Sequence, residues 1–235
     1  MTAQIDHLVV VAHDLAQGVA WCERALGITP GPGGEHALFG THNRLFKIAT
    51  PAHPTAYFEI IAINSAAAYA ISASSKRWFD MDNLALQAAA AQQPRLVHFV
   101  ASVPEANAGC AALKDLGIDR GQVLQANRPT PSGLLEWQIT VRDDGQRLFN
   151  GALPTLIQWG AQDTLPSTVV HPTQTMADSG VSLHRLSVSH PDVARLNAAY
   201  QAIGLSAVSI TSGAANICAE LHTPRGVVCL DSSGF

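Results

Sequence analysis

Three short apolar segments of the chain each carry a histidine, at a place where a buried strand ordinarily holds only aliphatic side chains. Each segment has the length and apolar character of a buried β-strand. The same departure from the pattern, made three times, indicates an internal repeat. The segments are IDHLVV (residues 5–10), LVHFVA (96–101) and LHRLSV (183–188), with His7, His98 and His184 as their histidines.

A helical pattern follows each of these strands at nearly the same distance. The first is introduced by Asp14, a natural N-cap because its carboxylate can accept hydrogen bonds from the free N–H groups of a first helical turn. The three patterns end at Gly27, Gly117 and Gly204, which lie 19 or 20 residues after the histidines. Glycine readily adopts the left-handed conformation that ends helices. The spacing therefore predicts the same strand–helix unit three times.

Three further strand-like runs follow each predicted helix, so the chain is predicted to contain three βαβββ modules in an α+β fold. In the first module, residues 40–43 are expected to form a hairpin turn between strands over 36–39 and 44–49. In the second module, apolar and polar residues alternate over 134–141, which is typical of a half-buried strand. The expected ranges are about 1–63 for the first module, 64–94 for an insertion with a helix from Asp82 or Asn83 to Gln92, 95–160 for the second module, 161–180 for a linker and 181–235 for the third module.

Composition and charge exclude several classes of function. The chain has 235 residues, of which 47% are hydrophobic and 14% charged, as in a globular protein. Its net charge of −4 and lack of basic blocks argue against nucleic-acid binding, which needs clustered Lys and Arg. No apolar run reaches the ~20 residues that cross a bilayer, and we see no signal peptide. The four scattered cysteines predict reduced core thiols in a cytoplasmic protein.

Further stretches accompany the repeat, namely GTHNRL, YFEII, RWFD, RPTPSGLLEWQITV and LPTLIQWG. Together with the histidine strands, they resemble the vicinal oxygen chelate superfamily, which includes glyoxalase I, extradiol dioxygenases and bleomycin-resistance proteins, and within it the glyoxalase-like group. The resemblance covers the first 160 residues well and the third module less well. It implies that the first two modules pair into a cupped mixed sheet with a ligand site inside the cup.

The resemblance also implies a metal site on the first and last strands of the two paired modules. Transferred to this chain, its positions are His7 and Glu59 in the first module and His98 and Gln158 in the second. Gln158 departs from the family pattern, because an enzyme of the glyoxalase I type carries glutamate at that place.

A metal would satisfy side chains that are otherwise unfavourable in a core. A buried imidazole or carboxylate needs a partner, and two histidines with Glu59 around a divalent cation suit Fe, Mn, Ni or Zn with open positions for substrate. Alternatively, the same side chains hydrogen-bond one another or water in a metal-free pocket. Because Gln158 cannot accept a proton, Glu59 would be both ligand and catalytic base, which argues against glyoxalase I activity itself.

Four other side chains are candidates for substrate binding. Arg77 and Trp78, in the insertion, are expected to cover the pocket, and Arg128 and Trp137 are expected to hold an anionic or planar ligand. The alternatives are core packing for the tryptophans and ordinary surface charge for the arginines. The remaining histidines fall in predicted turns or strand ends and receive no role; they are His13, His36, His42, His53, His171, His190 and His222.

The third module has no module to pair with in the same chain. Its counterparts of the metal positions, His184 and Cys229, lack a carboxylate, so we interpret it as a degenerate copy. An open sheet edge with an apolar face invites pairing. We expect it either to meet the third module of a second chain, giving a homodimer, or to fold back on the first cup.

Two functions from different classes remain open at this point. The first is a metal-dependent enzyme, of lyase, isomerase or dioxygenase type, acting on a small oxygen-bearing metabolite whose oxygens bind the open metal positions. The second is a metal-free protein that binds a small molecule in an apolar pocket. The ligand-type residues on matching strands favour the enzyme.

Overall fold

The computed structural model describes residues 2–66, 76–130, 133–160 and 170–232. Within these ranges it contains twelve strands and four α-helices. The strands are β1 (Gln4–Val11), β2 (Glu35–His36), β3 (Thr41–Lys47), β4 (Tyr57–Ile63), β5 (Arg95–Ser102), β6 (Gln122–Thr130), β7 (Gly133–Val141), β8 (Thr155–Trp159), β9 (Ser182–His190), β10 (Val208–Ser212), β11 (Asn216–Thr223) and β12 (Gly226–Asp231). The helices are α1 (Leu15–Ala25), α2 (Leu84–Gln92), α3 (Ala106–Lys114) and α4 (Val193–Ile203).

The first two modules form one eight-stranded mixed sheet in the order β2-β3-β4-β1-β5-β8-β7-β6. The two histidine strands, β1 and β5, run antiparallel at its centre, and each pairs in parallel with the last strand of its own module. The α+β fold with two modules joined in a mixed sheet is therefore confirmed.

The predicted helix signals act as expected. Asp14 caps α1 by accepting a hydrogen bond from the N–H of Gln17, and Asn83 caps α2 in the same way. Gly27, Gly117 and Gly204 all have positive φ angles between 68° and 80°. A residue with a Cβ would be strained in this conformation, so glycine ends each repeat unit.

The eight-stranded sheet buries both of its faces. The outer face packs against α1, α3 and the third module, while the inner face encloses the cavity described below. Alternating residues of one strand therefore enter different cores. Outer-face residues include Leu8, Val10, Phe58, Ile60 and Leu156. Inner-face residues include Val9, Val11, Ile61, Val100 and Ile157.

Each histidine strand contains one extra residue relative to its antiparallel partner. The registers skip Asp6 in β1, Val97 in β5 and His184 in β9. Such a β-bulge redirects the side chains beside it. The common bulge places Arg185, and not His184, at the position of His7 and His98 in the third module.

The third module has the predicted element order but a different strand order, β10-β9-β11-β12. Its apolar face packs on the outer face of the eight-stranded sheet in one continuous core. Tyr200 donates a hydrogen bond to the carbonyl of Ala152 at 2.6 Å, and the N–H of Leu183 donates to the carbonyl of Ile48 at 2.9 Å. The module therefore folds back within the chain, and the homodimer stays a prediction.

Two local expectations differ from the structure. The segment Gly40 to Asn43, expected to be a hairpin turn, contributes Thr41 onwards to β3, so that Asn43 is a strand residue. Cys229, expected in the core, is exposed, whereas Cys22 is buried. None of the helices in the described ranges is long and apolar enough to span a membrane.

Candidate functional site

A small cavity lies on the inner face of the eight-stranded sheet. The space inside it that is open to water-sized molecules is about 30 Å³, which is room for one or two waters. A larger ligand therefore requires side chains of its wall to move. The wall consists of His7, His36, Asn43, Leu45, Tyr57, Glu59, Trp78, Phe79, Arg128, Leu135, Trp137, Ile139, Ile157 and Trp159.

His7 and Glu59 both line this cavity and lie next to each other. β1 and β4 are parallel neighbours, and Glu59 stands opposite Val9, two residues beyond His7 on the same face. His7 Nδ1 donates to Asp6 Oδ1 at 2.7 Å, which leaves Nε2 facing Glu59 Oε2 at 3.6 Å. Both side chains are buried. Two proton acceptors thus face each other in a buried pocket, an arrangement that calls for a proton or a cation between them.

Asn43 fixes the other oxygen of Glu59. Its amide Nδ2 donates to Glu59 Oε1 at 2.6 Å and to His36 Nε2 at 3.3 Å, and its Oδ1 accepts from the N–H of Gly34 at 2.9 Å. Burial lowers the pKa of His36 to about 3, so this ring is neutral and can accept at Nε2. Glu59 is therefore held with one oxygen bound and the other presented to the cavity.

Asp6 is a fully buried carboxylate behind His7. Besides His7, it accepts hydrogen bonds from Trp159 Nε1 at 2.8 Å and His171 Nε2 at 3.1 Å. Burial alone would raise the pKa of the Asp6 carboxyl, but the hydrogen bonds from His171 and His7 outweigh burial and hold this pKa well below its ordinary range. Asp6 thus stays ionised and fixes the orientation of the His7 ring.

His98 faces inward from β5 but does not line the cavity. Its Nδ1 donates to the carbonyl of Gly151 at 2.8 Å, and its Nε2 accepts from the N–H of Thr155 at 3.0 Å. Burial, together with the nearby cations Arg120 and Arg147, lowers its pKa well below the ordinary value, so the ring is neutral. Both ring nitrogens are engaged within the protein.

Gln158 lies on the outer face of β8, on the opposite side from Ile157. Its Oε1 accepts a hydrogen bond from the N–H of Ala106, at the start of α3, at 2.8 Å. The position that corresponds to Glu59 is Thr155, because Thr155 stands opposite Val100 in β5 as Glu59 stands opposite Val9 in β1.

The predicted metal set therefore fits the structure only in part. His7 Nε2 and Glu59 Oε2 are close enough to share a cation. His98 offers no free nitrogen, and Gln158 points away from the cup. A catalytic metal site ordinarily needs at least three protein ligands, and these four residues do not supply them in the cup.

Replacing His98 is expected to lower the unfolding free energy of the protein. Replacing it with Leu would leave the Gly151 carbonyl and the Thr155 N–H buried without partners, at a cost of about 2–5 kcal/mol in unfolding free energy. Urea unfolding monitored by circular dichroism measures this cost, with the exposed His13→Leu as the matched control. Loss of a stoichiometric metal ion from purified His98→Leu protein, without loss of stability, would contradict this assignment.

The profile of a family described as glyoxalase-like domain matches residues 5–204. The chain belongs to this glyoxalase-like family. The matched region includes both paired modules and reaches the end of α4 in the third. The family assignment thus agrees with the mixed sheet and with the resemblance of the sequence motifs.

A solved structure of low sequence identity shares the fold. A hypothetical protein from Staphylococcus aureus is 14% identical, with a TM-score of 0.59 over 98% of this chain and 85% of that chain. Methylmalonyl-CoA epimerase from Streptomyces coelicolor, in complex with 2-nitronate-propionyl-CoA, is 16% identical over 68% of this chain and 100% of its own, with a TM-score of 0.43. The Mycobacterium tuberculosis epimerase is 15% identical over 66% and 86%, with a TM-score of 0.36. No curated protein matches the chain.

Two residues that line the cavity of the glyoxalase-like chain carry unpaired donors. Within the described residues, Arg128 Nη1 and Trp78 Nε1 are buried without a hydrogen-bond partner. Such groups are rare in native structures, because an unsatisfied buried donor costs about 1–3 kcal/mol. Both belong to the predicted substrate-binding set. They suit a ligand that brings acceptor oxygens.

The other two predicted substrate-binding residues have different positions. Trp137 lines the cavity through the inner face of β7. Arg77 lies outside it and forms an ion pair with Asp82, with Nη1 and Oδ1 2.6 Å apart.

The turn Trp78–Asp80 contributes Trp78 and Phe79 to the wall of the cavity. Phe79 and Asp80 have φ angles of 58° and 57°, in the left-handed region that bulky residues avoid. Arg147 Nε donates to the Asp80 carboxylate at 2.9 Å, which holds the turn in place. Trp78 stacks on Phe39 with ring centroids 3.9 Å apart. Backbone strain of this kind is often found at functional sites, and here it directs Phe79 into the cavity.

Several residues of the site had no role in the sequence interpretation. The sequence patterns assign no role to His36 and His171, which fall in predicted turns or strand ends, or to Asp6, Asn43 and Tyr57. Tyr57 nevertheless stacks on His7, with ring centroids 4.5 Å apart. The adjacent polar residues Asp6 and His7 could have indicated a bulge in this strand. Two adjacent polar residues in an apolar strand cannot both serve one face unless the strand bulges.

Proposed function

We propose that this glyoxalase-like protein is an enzyme of the isomerase or lyase type that moves a proton at a carbon next to a carbonyl group. Its substrate is a small anionic molecule rich in oxygen. The observation that carries the proposal is the facing pair of His7 Nε2 and Glu59 Oε2, 3.6 Å apart on the wall of a buried cavity. General acid–base catalysis requires such a positioned acceptor, and glutamate and histidine are common choices.

Glu59 is the proton acceptor in this proposal. Asn43 holds Oε1, so Oε2 is the oxygen free to take the proton from substrate carbon. His7 then stabilises the proton on Oε2 by accepting a hydrogen bond at Nε2. Asp6 keeps His7 in the required tautomer, because Nδ1 must donate to it. The proton returns from Glu59 to the same or a neighbouring atom of the substrate.

Arg128 and Trp78 bind the substrate in this proposal. The arginine pairs with a carboxylate and the indole N–H donates to a carbonyl oxygen, which satisfies both unpaired donors. As negative charge develops on the carbonyl oxygen, these donors stabilise it more strongly than they stabilise the ground state. The aromatic wall excludes water from the reacting carbon.

No step of this reaction involves a metal ion, because two of the four expected ligands, His98 and Gln158, are engaged elsewhere or point away from the cup. Oxygenase chemistry needs a redox-active centre with several protein ligands. The same geometry therefore gives the dioxygenase alternative less support than proton transfer.

Deuterium uptake from D₂O, followed by proton NMR, tests the proposed activity with the probes 2-oxobutyrate and pyruvate. We expect uptake at the carbon beside the carbonyl, and much weaker uptake with butanone, which lacks the carboxylate. Arg128→Met should raise KM for 2-oxobutyrate about 10- to 100-fold, because a hydrogen bond to a charged group contributes about 1.5–3 kcal/mol. Arg44→Met, on an exposed position of β3, is the matched control. Equal KM values for both variants would count against the role of Arg128.

A metal-free binding protein remains the second candidate, favoured by the aromatic lining of the cavity. Trp78, Trp137, Trp159 and Tyr57 supply flat apolar surface of the kind found in small-molecule pockets. Saturable binding of the 2-oxo acids, measured by tryptophan fluorescence, without any deuterium uptake would favour this candidate over the enzyme.

A further inference from the structure

The outer surface of the third module carries a second cluster of ligand-type side chains, far in sequence from the cup residues. One ligand atom from each of His184, Glu220 and His222 lies within 4.8 Å of the other two. In the part of the chain that the structure describes, no other group of three His, Cys, Asp or Glu residues meets this criterion. We propose that these three residues form a Zn²⁺ site.

The strands bring the three side chains together through two local features. Glu220 and His222 are two residues apart in β11 and therefore share a face. His184 is the bulge residue of β9, opposite the step between Glu220 and Leu221. The bulge turns His184 towards this pair, and its ring stacks on that of His222 with centroids 4.8 Å apart and an interplanar angle of 14°.

The distances suit zinc after small side-chain rotations. Zinc binds histidine nitrogen and carboxylate oxygen at about 2.0–2.2 Å, so donors around a tetrahedral ion lie about 3.3–3.5 Å apart. His184 Nε2 and Glu220 Oε1 are 3.6 Å apart. Two histidines and one glutamate are a known zinc set, whereas Ca²⁺ and Mg²⁺ prefer oxygen ligands alone. The exposed position of the histidines leaves the fourth place to water.

Removing the charge of Arg185 should strengthen zinc binding, whereas removing either histidine should weaken it. Arg185 Nη2 lies 3.1 Å from Glu220 Oε2, so a positive charge already pairs with the carboxylate that the metal would use. Removing this charge frees the second carboxylate oxygen and removes repulsion of the cation. Arg185→Ala is therefore expected to bind zinc more tightly, by about 1.5- to 5-fold, which corresponds to the strength of an exposed ion pair.

Isothermal titration of the chelator-treated full chain with ZnCl₂ tests the site. We expect one Zn²⁺ per chain, at least tenfold weaker binding in His184→Ala and in His222→Ala, and unchanged binding in the exposed His13→Ala control. Circular dichroism checks that each variant folds. The melting temperature should rise with zinc in the wild type and not in His222→Ala.

Two outcomes would overturn the zinc site. One is binding that His222→Ala leaves intact and Glu59→Gln abolishes, because the ion would then occupy the cup. The other is zinc binding that Arg185→Ala does not strengthen and neither histidine variant weakens. Neither outcome depends on the enzymatic activity proposed for the cup, so the two proposals fail separately.

Discussion

Replacing Glu59 with Gln is expected to lower the rate of deuterium uptake into 2-oxobutyrate by about 10²- to 10⁴-fold, the usual contribution of a general base. The amide keeps the size of the side chain, and its oxygen can still accept from Asn43. It cannot take up a proton from carbon. Affinity for 2-oxobutyrate should change less than about threefold, because the binding donors Arg128 and Trp78 are untouched.

Glu105→Gln is the matched control for this experiment. Glu105 is exposed at the start of α3 and its side chain makes no capping hydrogen bond. The wild-type rate and the rate of this control should agree. Full deuterium uptake by Glu59→Gln, with 2-oxobutyrate still bound, would show that another group takes the proton and would remove the proposed role of Glu59.

The sequence predicted the paired sheet because its signals are local and repeated. The apolar strands, the capping residue Asp14 and the glycines that end the helices act within a few residues of their own positions. The strand order of the third module was beyond such reasoning. Its strands β9 and β11 pair directly, and its apolar residues pack against segments of the first two modules that are distant in sequence.

The part of the candidate site that depends on the pairing of only two strands could be predicted from the sequence. His7 and Glu59 follow from parallel pairing of the first and last strands of one module. The family resemblance predicts Gln158 as the counterpart of Glu59, whereas the strand register gives that position to Thr155. Side chains alternate between the two faces of a strand, so Gln158, three residues after Thr155, lies on the opposite face. There its side chain accepts a hydrogen bond from the N–H of Ala106.

The residues that sequence reasoning missed act over long separations or through irregular backbone. His171 reaches Asp6 from a segment 165 positions later. Asn43 acts on Glu59 only because β3 begins at Thr41, before the expected strand start. The two modules also use equivalent histidines differently: His7 faces the cavity, while His98 ties β5 to the backbone around Thr155. Internal symmetry predicts positions better than it predicts roles.

Replacing Asp6 with Asn is expected to cost about 3–5 kcal/mol of unfolding free energy, as for the loss of one partner in a buried ionic network. The Asp6 carboxylate accepts hydrogen bonds from His7, His171 and Trp159. The NH₂ group of an asparagine at this position is itself a donor and would face at least one of these three donors. The melting temperature should fall by about 6–20 °C for a chain of this size. The exposed Asp115→Asn should leave it within about 1–2 °C.

The pH dependence of unfolding isolates the charge of Asp6. Its pKa is depressed in the folded chain, mainly by the hydrogen bonds from His171 and His7 acting against burial, and is about 3.9 when unfolded. Its contribution is therefore fully present above about pH 5 and is lost as pH falls towards the folded pKa, because the unfolded chain then binds a proton that the folded chain refuses. The difference in unfolding free energy between wild type and Asp6→Asn should shrink below pH 4 by up to about 1.4 kcal/mol per pH unit. Urea unfolding from pH 6 to pH 3 measures this difference. A difference that stays constant over that range would mean that packing of Asp6, and not its charge, holds His7 in place.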